Sequence, residues 1–582
     1  MHIVTTRRQY KDKEYVATLL RRSYREGGKV KNETLANLSH LPPAAIDALR
    51  KILGGKELVE AGEGWDIERS LPHGHVAAAW AMAGKLGMAK LLGPPCAERD
   101  LVLALVVARA VKPGSKLATT RWWQGTTMAE DLGLSDVPVD QVYAAMDWLR
   151  PRQGSIEEAL ARRHLRPGGR VLYDLSSSWV EGSHCPLAKR GHSRDGKADK
   201  AQVEYGLTCC PEGRPVAVEV FAGNTSDPTS FISAAQAVRE RFGLKDVVMV
   251  GDRGMITSAR IEALEAVGGL GWLTSLRAPQ VAALMSSGTL QMSLFDEVNL
   301  AEISHPDYPG ERLVACRNPA LAKERTRKRE ELLAATEALL AEVKAAVERD
   351  KRPYRGKDRI ALRVGKLINR YKVGKLINRY KVGKHFELRI GEDSFGFSRK
   401  ADQISAEAAL DGIYVVRASA AHVEGLSPAE LVKDYKDLEV NEAAFKSLKT
   451  IDLEVRPIFH WTEDRVRAHV FICMLALYLV WHLRRAWAPL CFSDEAPPER
   501  TDPVAPAKRS AAALAKVYRH TDQAGEALHS FSTLLDDLAT LTRDNIVFAS
   551  GARTSKLAIP TPLQRRAFEL IGVPVPIELK PM

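Results

Sequence analysis

VLYDLSSSWVEG (171–182), QVEYGLTCC (202–210) and RPVAVEVFAG (214–223) are three apolar stretches in close succession. Polar or Gly/Pro turns join them, and β-branched and aromatic residues fill them, so they read as three consecutive strands. Pro167-Gly168-Gly169 closes a helical region just before them. After them the pattern alternates: a helix over 229–242, the strand VVMVG (247–251), a helix over 256–267 and the strand GWLTSL (271–276). That order predicts a mixed α/β core. Two charges in it do not look like packing residues. Asp174 lies inside the first strand between Tyr173 and Leu175, and Asp252 follows VVMVG directly, ahead of Arg253-Gly254. A carboxylate in or at the end of a buried strand is costly unless it is paired, hydrogen-bonded or bound to a metal.

Further along, Tyr435, Leu438, Glu442, Phe445 and Lys449 step by 3, 4, 3 and 4 residues. On one helix that spacing puts all five on a single face. If the two aspartate strands are neighbours, their carboxylates aim at one spot, and Glu442 is the candidate third ligand from a helix across the sheet edge. Such an all-oxygen set suits Mg²⁺ or Mn²⁺, two per site, with water and phosphate completing the shells. Each residue also has a plainer reading. Asp174 could bond the Ser176–Ser178 hydroxyls, Asp252 could cap the next helix, and Glu442 could be a solvated helix residue. Glu463 in HWTEDRVRAH is the rival third carboxylate, but Arg465 and Arg467 beside it make it an ion-paired residue. An aspartyl-phosphate phosphatase would need a second Asp where Ser176 stands. GNTSD (223–227) reads as a turn that either brings Asn224 and Asp227 near the site or caps the helix after Pro228, and Trp272 reads as core.

The 582 residues exceed one domain, with 45% apolar and 27% charged side chains and a net charge of +12. Residues 351–390 hold 14 Lys/Arg and 2 Asp/Glu, which equals the whole excess and favours a polyanionic partner. Within them VGKLINRYK occurs twice in tandem, at 364–372 and 373–381, as a recent duplication would leave it. A long charged helix is expected over about 319–350, and KHFELRIGEDSFGFS (384–398) is strand-like. Residues 15–38 read as a hairpin around Gly27-Gly28, followed by a helix from Pro42 to Leu53. Residues 75–165 are mainly helical, and the segment around Gly133 is either a helix-turn-helix or plain packing. Seven scattered cysteines without a framework fit a reducing cytoplasm. The run VFICMLALYLV (470–480) is too short to span a bilayer and predicts a core helix, so no membrane partner is expected.

Three blocks, LYDLSSSWVEG, VMVGDRGM and YKDLEVNEAAFKSLK with the RPIFHWTEDRVRAHVF that follows, together resemble the DDE transposases of bacterial insertion sequences. The branch is the one marked by a Tyr–Arg–Glu–Lys signature, and the resemblance runs over about residues 165–485. It implies an RNase H-like core, whose strand order other mixed α/β folds can share, with an insertion between the second Asp and the Glu. It also implies Mg²⁺-dependent cleavage of transposon ends and joining of their 3′-hydroxyls to target DNA. Carried over by residue, Asp174, Asp252 and Glu442 are the metal-binding triad, and Tyr435 and Lys449 contact transposon-end phosphates. The signature's Arg position holds Leu438. Lys436 and Lys446 stand near enough to substitute from elsewhere on the helix, and Lys446 and Arg253 join the expected DNA contacts.

The expected layout is a DNA-binding region over 1–165, a catalytic core over 166–279 and 411–487 interrupted by an insertion over 280–410, a linker over 488–510 and a tail over 511–582. The expected partner is double-stranded DNA, both transposon ends and target, held by a synaptic dimer in the bacterial cytoplasm at the nucleoid. Two other functions fit the same residues: a catalytically silent DNA-binding derivative, and a stand-alone metal-dependent nuclease.

Overall fold

The computed structural model describes residues 1–56, 64–349, 351, 354–370, 382–499, 502–522 and 525–582. The apolar stretches after Gly169 become eight strands of one mixed sheet: β1 Arg170–Trp179, β2 Gln202–Cys209, β3 Pro215–Ala222, β4 Val247–Val250, β5 Leu270–Ser275, β6 Leu300–Ile303, β7 Glu311–Arg317 and β8 Ile413–Ser419. Their order across the sheet is β6-β7-β8-β5-β4-β1-β2-β3. β1, β2 and β3 form an antiparallel meander, while β4 and β5 run parallel to β1. β8 then pairs antiparallel with β5 and β7. Every residue of β2 is buried, as expected of a central strand covered on both faces.

The helix Glu463–Ala486 explains the apolar run at 470–480. It is long and apolar enough to cross a membrane by length and composition, yet 83% of its apolar window is buried inside the fold. It packs on β3 and on the helices Gly74–Lys85, Ala97–Val111 and Val139–Leu149. Val139–Leu149 buries Val142, Ala145, Met146 and Leu149 in this contact, so the second helix after Gly133 is a packing helix. Trp272, Cys209 and Cys210 are core residues.

Contacts divide the chain into two compact units, and the division differs from the expected layout. One unit comprises Met1–Leu71 and Thr542–Ala558. It holds the expected hairpin, Lys13–Glu26 with Lys29–Asn37, turned at positive φ by Gly27 and Gly28. A further strand, His2–Tyr10, completes an antiparallel meander, and the helix Pro43–Leu53 follows. A second sheet has Thr542–Phe548 between Arg553–Leu557 and Trp65–Pro72. The segment expected as a tail therefore supplies two of its three strands.

The other unit comprises Pro72–Leu541 and Ile559–Met582 and contains the eight-stranded sheet. The helices expected to belong to an N-terminal region ending at 165 fold here instead. The segment 280–410 is not wholly an insertion, because β6 and β7 extend the main sheet. What stands off the sheet is the helix Pro319–Val347, the helix Lys357–Arg370 and the hairpin Phe386–Ile390/Phe395–Arg399. These share a core of their own made of Leu333, Leu340, Val343, Val347, Ile360, Val364, Phe386 and Phe395. Val364 opens the first nonapeptide copy; the second copy lies outside the described residues. The expected linker over 488–510 docks at Val504, which is fully buried.

Candidate active site

β1 and β4 pair in parallel with Arg170 opposite Val248 and Leu172 opposite Val250. Asp174 lies two residues further along β1, and Asp252 lies two residues past the end of β4. The two carboxylates and Glu442 line one cleft of about 680 Å³.

Asp174 is half-buried, and its Oδ1 accepts the Leu175 N–H at 2.8 Å. Burial pushes its carboxyl up to about 7, against the Leu175 N–H and the Arg194 charge, and the negative charges of Asp252 and Glu442 push the same way. The Ser176–Ser178 reading of Asp174 does not hold, since Ser178 Oγ bonds the Tyr205 hydroxyl and Ser177 Oγ accepts the Arg194 N–H. Asp252 is exposed and accepts the Arg253 N–H at 2.8 Å. The helix after it, Ser258–Val267, has Thr257 at its N-cap position, so Asp252 is not its cap. Glu442 is exposed into the cleft.

The Tyr435–Lys449 stripe is not carried by one helix. Pro428–Lys436 ends at Asp437, Leu438–Lys446 begins there, and Ser447–Ile451 is a π-turn. All five members nevertheless line the cleft. The Tyr435 hydroxyl meets Ser275 Oγ at 2.8 Å. The Asp434 carboxylate, on the same helix, pairs with Arg170 of β1 and so ties this helix to the strand that carries Asp174.

Lys449, expected to contact transposon-end phosphates, is held by a carboxylate within the cleft. It is largely buried, and its Nζ donates to Asp195 Oδ1 at 2.7 Å. Arg456 pairs with the same Asp195 oxygen, while its guanidinium lies over the Trp179 ring. Burial lowers the Lys449 pKa, opposed by Asp195. Lys436 also lines the cleft, and its Nζ donates to the carbonyls of Pro503 and Val504. Lys446 is exposed at the cleft. Arg253 is half-buried beside Asp252 and is not part of the cleft lining. Glu463 bonds Arg467 at 2.7 Å, whereas Arg465 pairs with Asp147.

Three cleft residues carried no expectation. Arg194 pairs with Asp227 at 2.5 Å and Glu204 at 3.6 Å; Asp227 is the first residue of the helix Asp227–Gln236, whose N-cap position is Ser226, so it stands beside the cleft and is not the cap. Asp195 and Arg456 are the other two. Arg194 and Asp195 lie in the loop HSRDGKADK (192–200), which has no periodic signal, while Arg456 stands within the third resembling block.

The carboxylates offer hard oxygen donors suited to Mg²⁺ or Mn²⁺. Among the described residues, no group of three or more His, Cys, Asp or Glu is drawn together as a ready-made metal cluster.

Residues 3–62 match the family model of the IS1634 family transposase N-terminal domain. This match supports an insertion-sequence transposase and, through it, DNA binding. No curated protein matches the chain.

Proposed function

We propose that the chain is a DDE transposase of the Tyr–Arg–Glu–Lys branch, with an RNase H-like catalytic core spanning β1 to β5 and the helix bearing Glu442. It would cut the terminal inverted repeats of its element and join their 3′-hydroxyls to target DNA. One observation carries this reading: Asp174, Asp252 and Glu442, far apart in sequence, line one cleft, with Asp174 in β1 and Asp252 two residues past the end of its parallel neighbour β4. The match of residues 3–62 supports it independently.

In this reading Asp174, Asp252 and Glu442 hold two Mg²⁺ or Mn²⁺ ions. Bound there, such cations supply activation of the attacking oxygen and charge neutralisation at the leaving oxygen. The chain's own groups do the positioning. Lys446 and Arg253 supply positive charge for end phosphates. The Tyr435 hydroxyl, held by Ser275, presents a polar group to the bound strand. Lys449 and Arg456 clamp Asp195 and so hold the 192–200 loop over the cleft. Two copies would hold two ends in a synaptic dimer, in the bacterial cytoplasm.

The test is a strand-transfer assay on labelled duplexes taken from the flanks of the gene. Asp174→Asn, Asp252→Asn and Glu442→Gln should each abolish cleavage and leave duplex binding near wild type, and Glu463→Gln should cut normally. Normal cutting by Glu442→Gln with none by Glu463→Gln would remove Glu442 from the triad. A second reading, a silent DNA-binding derivative, draws on Leu438, which places an apolar side chain on the cleft wall where the signature has a cation. Binding without cutting by the wild-type chain supports that reading, and cutting without joining supports a stand-alone nuclease.

A further inference from the structure

A second cavity, of about 200 Å³, is lined by Arg109, Lys116, His460 and His469. Arg109, Lys116 and His469 are each more than nine-tenths buried. His469 Nε2 lies 3.0 Å from the Val455 carbonyl and must donate to it, which leaves Nδ1 as an acceptor. Lys116 Nζ donates to that Nδ1 at 3.1 Å. Arg109 donates to the carbonyls of Leu453 and Gly114. Both cations are therefore satisfied only by neutral acceptors, and among the described residues neither forms an ion pair with a carboxylate. Glu454 stands at the exposed rim. Two buried, adjacent positive charges without a counter-ion are costly, and removing the anionic partner of such a group is what usually creates that cost. Burial first, then the Arg109 charge, lowers the Lys116 amine to about 7, as expected for a cation lacking its counter-charge.

Size and place narrow the ligand. The cavity is smaller than the ~300 Å³ at which sites for drug-sized molecules begin, which suits a phosphate group. Lys116 is the first residue of the helix Lys116–Trp123, whose positive end adds to the field. Arg456 lines both this cavity and the cleft that holds Asp174 and Glu442, so the two adjoin.

We propose that this cavity is an anion subsite that seats one backbone phosphate of the DNA strand entering the cleft. The DNA part of this inference rests on the function proposed above; the anion site does not.

The experiment uses the full chain, wild type and Lys116→Met, with inorganic phosphate and with a short duplex from the gene's flank. Phosphate should raise the thermal midpoint of the wild type and leave that of Lys116→Met unmoved. Without phosphate, the variant should melt no lower than wild type, since it loses a buried charge. Lys116→Gln replaces the variant if the Met form does not fold. No phosphate response in the wild type, or an equal response in the variant, overturns the anion site. The slope of log affinity for the duplex against log salt should fall by about 0.9 in the variant, the share of one phosphate. An unchanged slope with a lost phosphate response overturns the DNA strand as the source and leaves free phosphate. The phosphate readings need neither metal nor cutting. Cleavage by Asp174→Asn would thus sink the proposed function without touching them.

Discussion

Gly206 of β2 faces Tyr173, the neighbour of Asp174, and a Cβ built there would meet the Tyr173 hydroxyl at 1.9 Å. The ring is fully buried and has no room to withdraw. Gly206→Ala should therefore cost about 1–3 kcal/mol of stability in urea unfolding, as overpacking of a dense core does. It should also slow cleavage, because Asp174 moves with its strand. Lys446, exposed at the cleft, makes a different prediction. Lys446→Ala should weaken duplex binding evenly across sequences and lower the salt slope by about 1, with little change in stability. The residues that a sequence reader finds here are those whose type clashes with their surroundings. Asp174 and Asp252 stand out because a strand should not hold them. Arg194, Asp195 and Arg456 do not stand out, because a charged residue in a polar loop is ordinary until the fold brings its partner. Asp195 and Lys449 lie more than two hundred residues apart, and only their contact turns Lys449 from a free cation into a clamp.

The helix bearing Glu442 shows what spacing can and cannot predict. The 3-4-3-4 pattern marks the face that meets the cleft, and no Gly or Pro marks the break at Asp437, so one helix was the natural expectation. The β1–β5 order was legible because each strand is apolar and bounded by turn residues. β6 and β7 were not, because LAEI and ERLVACR are short and mix charge with apolar residues. The helix Gln153–His164 carries its own testable consequence. Glu157 on it is fully buried; it accepts the Val218 N–H of β3 and pairs with Arg241. Burial pushes its carboxyl up to about 6 from an ordinary value of 4.5, with Arg241 opposing. The folded state thus holds this proton more tightly than the unfolded chain. The cost of the buried charge is present above about pH 6 and is relieved as pH falls toward 4.5. Relative to Glu157→Gln, wild-type stability in urea unfolding should rise by about 2 kcal/mol across that window. On the helix Pro319–Val347, Leu333 is fully buried among Ile360, Phe386 and Phe395. Leu333→Ala should cost about 2–5 kcal/mol in the stability of that subassembly, read by hydrogen exchange over residues 319–399.

At the scale of the whole molecule, the net charge of +12 predicts that duplex affinity falls steeply with salt, as log affinity against log salt with a slope set by the phosphates contacted. A flat response would disconnect the charge from DNA. The division into two units was the least legible property of the chain. Nothing in the composition of 542–558 says that it pairs with Trp65–Pro72, because strand pairing across so long an interval leaves no local mark. That pairing also ties assembly to the order of synthesis. Trp65–Pro72 leaves the ribosome early, and its neighbour Thr542–Phe548 follows about 470 residues later. At roughly 5–20 residues per second the wait is on the order of 25–95 s, during which the early strand has an unpaired edge. A chain released before Thr542–Phe548 is made lacks the central strand of that sheet. A shortened translation product would then carry the Asp174 and Asp252 strands and the Glu442 helix beside an incomplete N-terminal unit.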